Sequence, residues 1–182
     1  RPVVISSLSG IGDSTIVTKL FSAHEKSLGK TVSHTTRPPL DNESNGIDYH
    51  FIDREKFSVM RDGDQFLEYS TRDESEYGTS RKAVEGIIAQ GKVPVWETDI
   101  HGIQQLKDQA YNARFVFIGP AHLEEFEAKL RRPNAESEER IQQRLVTARL
   151  EIEQSKLEGF YDQVLADKSV ESAYKALERF II

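Results

Sequence analysis

The chain has no cysteine among its 182 residues, a single tryptophan, a single methionine and six prolines. Without cysteine there is no disulfide scaffold, no thiolate metal site and no cysteine nucleophile, and the reducing cytosol is permitted. Long apolar runs are missing too. Phe115 to Ile118 is typical of the longest, far short of the roughly 20 residues a membrane-crossing helix requires. The opening Arg1-Pro2-Val3-Val4-Ile5-Ser6 does not read as a signal peptide. There is also no block of lysine and arginine: 24 basic residues face 30 acidic ones, for a formal charge of −6. That balance argues against a nucleic-acid partner, although a local anion site is compatible with an acidic protein. At roughly 100–200 residues per domain, the length suits one domain with a sizeable core. These absences leave a cytoplasmic enzyme or a binding module, with no membrane insertion.

What is present alternates between strand and helix patterns. Val3-Val4-Ile5 is a short apolar run closed by Ser6-Ser7-Leu8-Ser9-Gly10-Ile11-Gly12, after which Ile16, Leu20 and Phe21 recur at helical spacing. Thr31-Val32-Ser33 reads as a second strand, followed by Thr35-Thr36-Arg37-Pro38-Pro39, where the prolines forbid helix, and by a polar loop from Leu40 to Asp48. Asp53 is placed to cap a helix through Met60, Phe66 to Tyr69 reads as a strand, and Ser80 is placed to cap Arg81 to Gln90, with Gly91 as the stop. Val93 to Trp96 follows as a strand whose Pro94 belongs near its start. Helices are expected over Ile103 to Gln109, His122 to Leu130, Glu138 to about Leu157 and Val170 to Ile181, and strands over Arg114 to Ile118 and Val164-Leu165. Pro133 separates the second and third of these helices. Strands alternating with helices imply an α/β fold, a parallel sheet with helices on both faces.

The first turn lies close to a phosphate-binding frame. A P-loop runs Gly, four residues, then Gly-Lys-Ser/Thr: backbone N–H groups cradle phosphate, the lysine reaches the β/γ-phosphates and the hydroxyl holds magnesium. Over Ser7-Leu8-Ser9-Gly10-Ile11-Gly12-Asp13-Ser14, Gly12 and Ser14 fit, whereas Ser7 stands in the place of the first glycine and Asp13 in that of the lysine. Asp13 reverses the local charge. Two unit charges 4 Å apart interact by about 1 kcal/mol in water and about 4 kcal/mol at an effective dielectric near 20, so the exchange opposes both triphosphate binding and transfer. An aspartate in the first turn of a helix has a structural role of its own, since it complements the helix dipole by roughly 0.3–1 kcal/mol. A role as an extra magnesium ligand is a further alternative.

Beyond this loop, the chain resembles the guanylate kinases and the guanylate-kinase-like domains of membrane-associated scaffold proteins over nearly its whole length. The resemblance rests on segments in order: Val32-Ser33-His34-Thr35-Thr36-Arg37-Pro38, Asn45-Gly46-Ile47-Asp48-Tyr49-His50-Phe51, Phe66-Leu67-Glu68, Tyr77-Gly78-Thr79-Ser80, Asp99-Ile100-His101-Gly102, and Glu136 to Leu145. It implies a P-loop-type core (1–32, 89–121 and 147–182), a GMP-binding region with short strands (33–88) and a small helical lid (122–146). In the enzyme, ATP with Mg2+ phosphorylates GMP. The resemblance implies that Ser33, Glu68 and Asp99 recognise guanine, carboxylates accepting from its N1–H and amino edge and a hydroxyl donating to O6. It implies that Arg37, Tyr49 and Tyr77, with Thr79 beside them, clamp the phosphate. The degenerate P-loop comprises Ser9, Gly10, Gly12, Asp13, Ser14 and Thr15, with Ser14 the magnesium ligand if ATP binds, and Arg131 and Arg144 match lid arginines.

The departures cluster at phosphate chemistry. Besides Asp13, Leu40 falls where the family has a second phosphate-binding arginine, Pro133 replaces a lid arginine beside Arg132 and Arg140, Asp167 replaces an asparagine near the adenine site, and His101 a glutamine. Loss of a single electrostatic donor can cost roughly 10²–10³ in turnover. The mixed pattern favours a domain impaired in ATP-dependent transfer, a pseudoenzyme without a cofactor, whose pocket serves GMP or a phosphorylated protein partner. The alternative is an active guanylate kinase converting ATP and GMP to ADP and GDP.

Overall fold

A computed structural model describes residues 1–8, 13–120, 122–132, 136–166 and 169–182, with the side chains of 13 and 14 not among what it describes. The chain order is β1 (Val3–Ser7), α1 (Asp13–His24), β2 (Leu28–Lys30), β3 (His34–Thr35), β4 (His50–Phe51), α2 (Arg54–Asp62), β5 (Phe66–Arg72), β6 (Ser75–Ser80), α3 (Arg81–Ala89), β7 (Val93–Thr98), α4 (Ile100–Asp108), β8 (Arg114–Ile118), α5 (Leu123–Leu130), α6 (Glu138–Ser155), β9 (Gln163–Leu165) and α7 (Val170–Ile181). Five strands form one sheet in the order β2-β7-β1-β8-β9, and four form a second in the order β4-β3-β6-β5. Pairing of β2 with β7 and of β8 with β9 is parallel, the α/β arrangement expected from the alternation of elements.

The chain comprises two compact units, one of Arg1–Val4 with His24–Ala113 and one of Ile5–Ala23 with Arg114–Ile182. Residues 33–88 lie wholly in the first and 122–146 wholly in the second. In the first unit, α3 and α4 pack on β7, and Val84, Val95, Trp96, Ile103 and Leu106 are buried. In the second, α7 packs on β9 and α5 on α6; Phe117, Phe126, Ile141 and Leu177 are buried there.

Local sequence explains most element ends. Asp53 caps α2 by accepting from the Lys56 N–H at 2.7 Å, and Ser80 caps α3 by accepting from the Ala83 N–H at 3.2 Å. Gly91, just past α3, has φ +73°, a conformation open to glycine without Cβ strain. Pro94 sits second in β7, opposite Gly29.

Two expectations change. Thr31-Val32-Ser33 is not a strand: the parallel strand ends at Lys30, and the chain then passes to the second sheet, where the Ser33 carbonyl accepts from His50 N–H at 2.8 Å. Helix α4 begins at Ile100 rather than Ile103, because Asp99 caps it through the Gly102 N–H at 3.0 Å. Tyr77-Gly78-Thr79-Ser80 belongs to a strand, β6, which forms an antiparallel hairpin with β5 through Asp73 and Glu74, both at positive φ. Two consecutive left-handed residues match the right-handed twist of the flanking strands.

Candidate functional site

The register of the second sheet gathers four of the predicted residues, Ser33, Glu68, Tyr77 and Thr79, onto one face. Side chains two apart on a strand share a face. On β5 this row is Glu68, Ser70 and Arg72; their partners across the ladder on β6 are Thr79, Tyr77 and Ser75. Strand β3 adds Thr35 opposite Tyr77, and Ser33, just before the strand, reaches Thr79 with its hydroxyl, Oγ to Oγ1 at 2.8 Å. Eight residues drawn from the segment Ser33 to Thr79 thus converge within the first unit.

One end of this face is acidic and hydroxyl-rich. Glu68 is 3% exposed. Its Oε2 accepts from Thr98 Oγ1 at 2.7 Å, and Thr79 also hydrogen-bonds to it. Burial pushes the Glu68 carboxyl up to about 7, with the two threonines pulling the other way and the nearby Asp99 charge adding to the rise. Asp99 is buried beside it at the α4 N-cap, where Arg72 Nε lies 3.8 Å from its Oδ2. The close quarters explain Gly102: a Cβ there would stand 2.6 Å from Glu68 Oε2 and closer still to Thr98 Oγ1.

The other end is cationic and aromatic. Arg37 holds Glu43 in a two-pronged pair, Nη1 to Oε2 at 2.8 Å and Nη2 to Oε1 at 3.0 Å. Glu43 also accepts from the Leu40 N–H at 2.9 Å. The pairing with Glu43, aided by a hydrogen bond with Tyr77, raises the Arg37 pKa above its ordinary value and lowers that of Glu43. The Arg37 guanidinium lies 5.5 Å from the Tyr49 ring centroid, and the Tyr49 and Tyr77 rings meet edge-on at 5.8 Å. Burial raises the Tyr49 phenol above its usual range. A carboxylate gripped by both prongs of an arginine occupies the geometry that a phosphate would take.

Sequence reasoning missed Glu43, Thr98 and Arg72. For Thr98 a signal existed: in β7 it is a polar residue two positions from the apolar Trp96, on the same side of the strand, while Glu97 between them is exposed. Glu43 and Arg72 carry no such mark, since their roles depend on a loop and a hairpin end.

Residues tied to ATP lie in the second unit. Ser9, Gly10 and Gly12 lie outside the described residues, as do Pro133 and Asp167, and of Asp13 and Ser14 only the backbone is described. Helix α1 starts at Asp13, and Thr15 is exposed in its first turn. Arg131, at the α5 C-cap, binds Glu127 Oε1 at 2.9 Å and both oxygens of Glu138 at 2.6 and 2.9 Å. These contacts raise the Arg131 pKa and hold the Glu138 carboxyl down near 2. Arg144, on α6, donates to Glu136 Oε1 at 2.7 Å and lies 5.8 Å from the Phe126 ring centroid. Among the described residues no group of three or more His, Asp or Glu side chains is placed to hold a metal ion, and no helix is long and apolar enough to cross a membrane.

Buried carboxylates with hydroxyls at one end and an arginine–tyrosine cluster at the other thus stand together in the first unit of an α/β protein. The family model for guanylate kinase matches residues 1–182, and the chain belongs to the guanylate kinase family. It is 39% identical to the guanylate kinase of Schizosaccharomyces pombe, covering 98% of this chain and 88% of that protein. It is 36% identical to that of Sus scrofa, covering 98% and 90%. With guanylate kinase 1 of Oryza sativa it shares 36% identity over 100% of this chain, which spans 47% of that relative. Among solved structures, the guanylate kinase from Anaplasma phagocytophilum aligns with a TM-score of 0.73 at 27% identity, covering 99% of this chain and 83% of that one. The SH3-kinase fragment of tight junction protein 3 aligns at 0.53 and 12% identity, covering 100% and 56%, a likeness of fold alone. The other relatives are guanylate kinases, which supports the enzyme alternative over the impaired, partner-binding preference.

Proposed function

We propose that this chain is a guanylate kinase which binds GMP on the β3–β6–β5 face of its first unit and phosphorylates it from ATP–Mg2+. The observation that carries this is the single sheet face with hydroxyl and carboxylate acceptors at one end and the Arg37 clamp at the other. Glu68 and Asp99 accept from guanine N1–H and its amino group; adenine, with an unprotonated N1, would set a lone pair against a carboxylate. The Ser33–Thr79 hydroxyl pair can turn a donor toward O6. Arg37 exchanges Glu43 for the GMP phosphate, and Tyr49 and Tyr77 supply phenolic donors. Held there, a GMP phosphate oxygen attacks the γ-phosphorus of ATP, the new P–O bond forms and ADP leaves with the β–γ bridging oxygen. Little covalent help is needed, so positioning and charge neutralisation do most of the work. Magnesium arrives with ATP as substrate, and Ser14 is the residue that would meet it.

On the donor side, Arg131 and Arg144 must give up glutamate partners to reach the transferring group, and Asp13 stands where a lysine would neutralise charge. Transfer is therefore slow, and Asp13, together with the departures at Leu40 and Pro133, favours the second possibility, a domain that holds GMP or a phosphorylated protein partner without turning over. A cytoplasmic setting goes with either, as the cysteine-free sequence permits. A coupled ADP-release assay with ATP, Mg2+ and GMP, run beside Asp13→Lys, tests the proposal. The parent is expected to release ADP only when GMP is present, and Asp13→Lys to raise kcat by about 10²–10³. A silent parent that still binds GMP would leave the binding-only domain.

A further inference from the structure

The GMP site has lost one cation and gained another. Leu40, where the family's second phosphate-binding arginine is expected, is 60% exposed and offers no charge. Arg72 lies elsewhere in the sequence, at the last position of β5, where the positive-φ pair Asp73-Glu74 turns the hairpin. It shares the β5 face with Glu68, and across the ladder Tyr77 sits between them, opposite Ser70. The guanidinium lies 4.1 Å from the Tyr77 ring centroid. Tyr77 is therefore flanked by two guanidiniums, Arg72 over its ring and Arg37 at its hydroxyl. Tyr49, the other phenol of the clamp, feels the Arg72 charge more strongly than that of Arg37. Arg37 is saturated by the two-pronged Glu43 pair, whereas Arg72 meets Asp99 only at 3.8 Å and its side chain is 44% exposed.

We infer that Arg72 is the second phosphate-binding cation of the GMP pocket, supplied from the β5–β6 hairpin in place of the arginine absent at position 40. This rests on the proposed GMP site. A monophosphate dianion needs more than the one positive charge of Arg37, and a guanidinium held on Tyr77 needs only to turn its free N–H groups to meet it.

Calorimetric titration of the parent, Arg72→Ala and Arg72→Gln with GMP and with guanosine separates the cases, with circular dichroism confirming the fold of each variant. Both substitutions are expected to weaken GMP by about tenfold or more, as loss of a charged hydrogen bond implies, while guanosine, which lacks the phosphate, shifts by less than about twofold. Leu40→Arg added to Arg72→Ala is expected to restore GMP binding to within about threefold of the parent. Equal losses for GMP and guanosine would make Arg72 a support for Asp99 and overturn the inference, as would unchanged or tighter GMP binding. A parent that binds neither compound would remove the GMP site itself, and the inference with it.

Discussion

Glu68 on β5 and His34 on β3, two strands separated by β6, are shifted in opposite directions, and both for want of water. Burial lifts Glu68 to about 7 from an ordinary 4.5, so the folded state keeps a proton that the unfolded chain has released. That contribution is fully present below pH 4.5 and is lost as pH rises through 7. Burial, helped by the charges of His50 and Lys56, pushes His34 down to about 4 from 6.5. Its neutral form contributes stability above pH 6.5 that is lost as pH falls through 4. The two contributions oppose each other and nearly cancel between pH 4.5 and 6.5, so urea midpoints should stay nearly level across that range. Glu68→Gln removes the falling contribution alone, so the variant is expected to gain on the order of 2–3 kcal/mol between about pH 4 and 6.5 where the parent stays level; a parent that itself rises across this range would show that Glu68 is charged in the fold. The sequence names Glu68 as a guanine-contact residue by its neighbours Phe66-Leu67. It does not reveal the perturbation, which depends on Thr98 and Asp99 arriving from β7 and the α4 cap.

At the scale of elements, the site is a consequence of strand period. Tyr77 with Thr79 on β6, and Glu68 with Arg72 on β5, are separated by two and four residues, the spacing that keeps side chains on one face. The capped helices α2 and α3, the strand β8 and the helix α7 were legible because cap residues and apolar periodicity act locally. The end of β2 was not, since it depends on β7, whose Val95 carbonyl takes the Thr31 N–H; the start of α4 is set by the local Asp99 cap, while the Glu68–Thr98 pair that crowds Gly102 brings in a residue distant in sequence. Gly102 makes the point testable. Helix propensity alone predicts that Gly102→Ala near the start of α4 stabilises by roughly 0.5–1 kcal/mol. The clash with Glu68 and Thr98 predicts the reverse, a loss of about 1–3 kcal/mol together with weakened GMP binding. Thermal unfolding decides between them by the sign of the change in Tm.

For the whole molecule, the two units divide the chemistry. Every residue assigned to GMP lies in His24–Ala113, while the P-loop remnant and the arginines Arg131 and Arg144 lie in the unit of Ile5–Ala23 and Arg114–Ile182. The departures from the family pattern at Asp13 and Pro133 fall in the second unit and the intact guanine contacts in the first, so acceptor recognition and donor chemistry can be measured apart. A formal charge of −6 opposes a nucleotide anion at long range, which makes the local cations Arg37 and Arg72 responsible for its capture. The most direct test is a calorimetric titration of the parent with GMP and with AMP, without ATP. One GMP per chain is expected, with AMP at least about 100-fold weaker, because it presents a lone pair where Glu68 and Asp99 require a donor. Equal affinity for the two nucleotides, or no binding of GMP, would contradict the assignment of this sheet face as a guanine site.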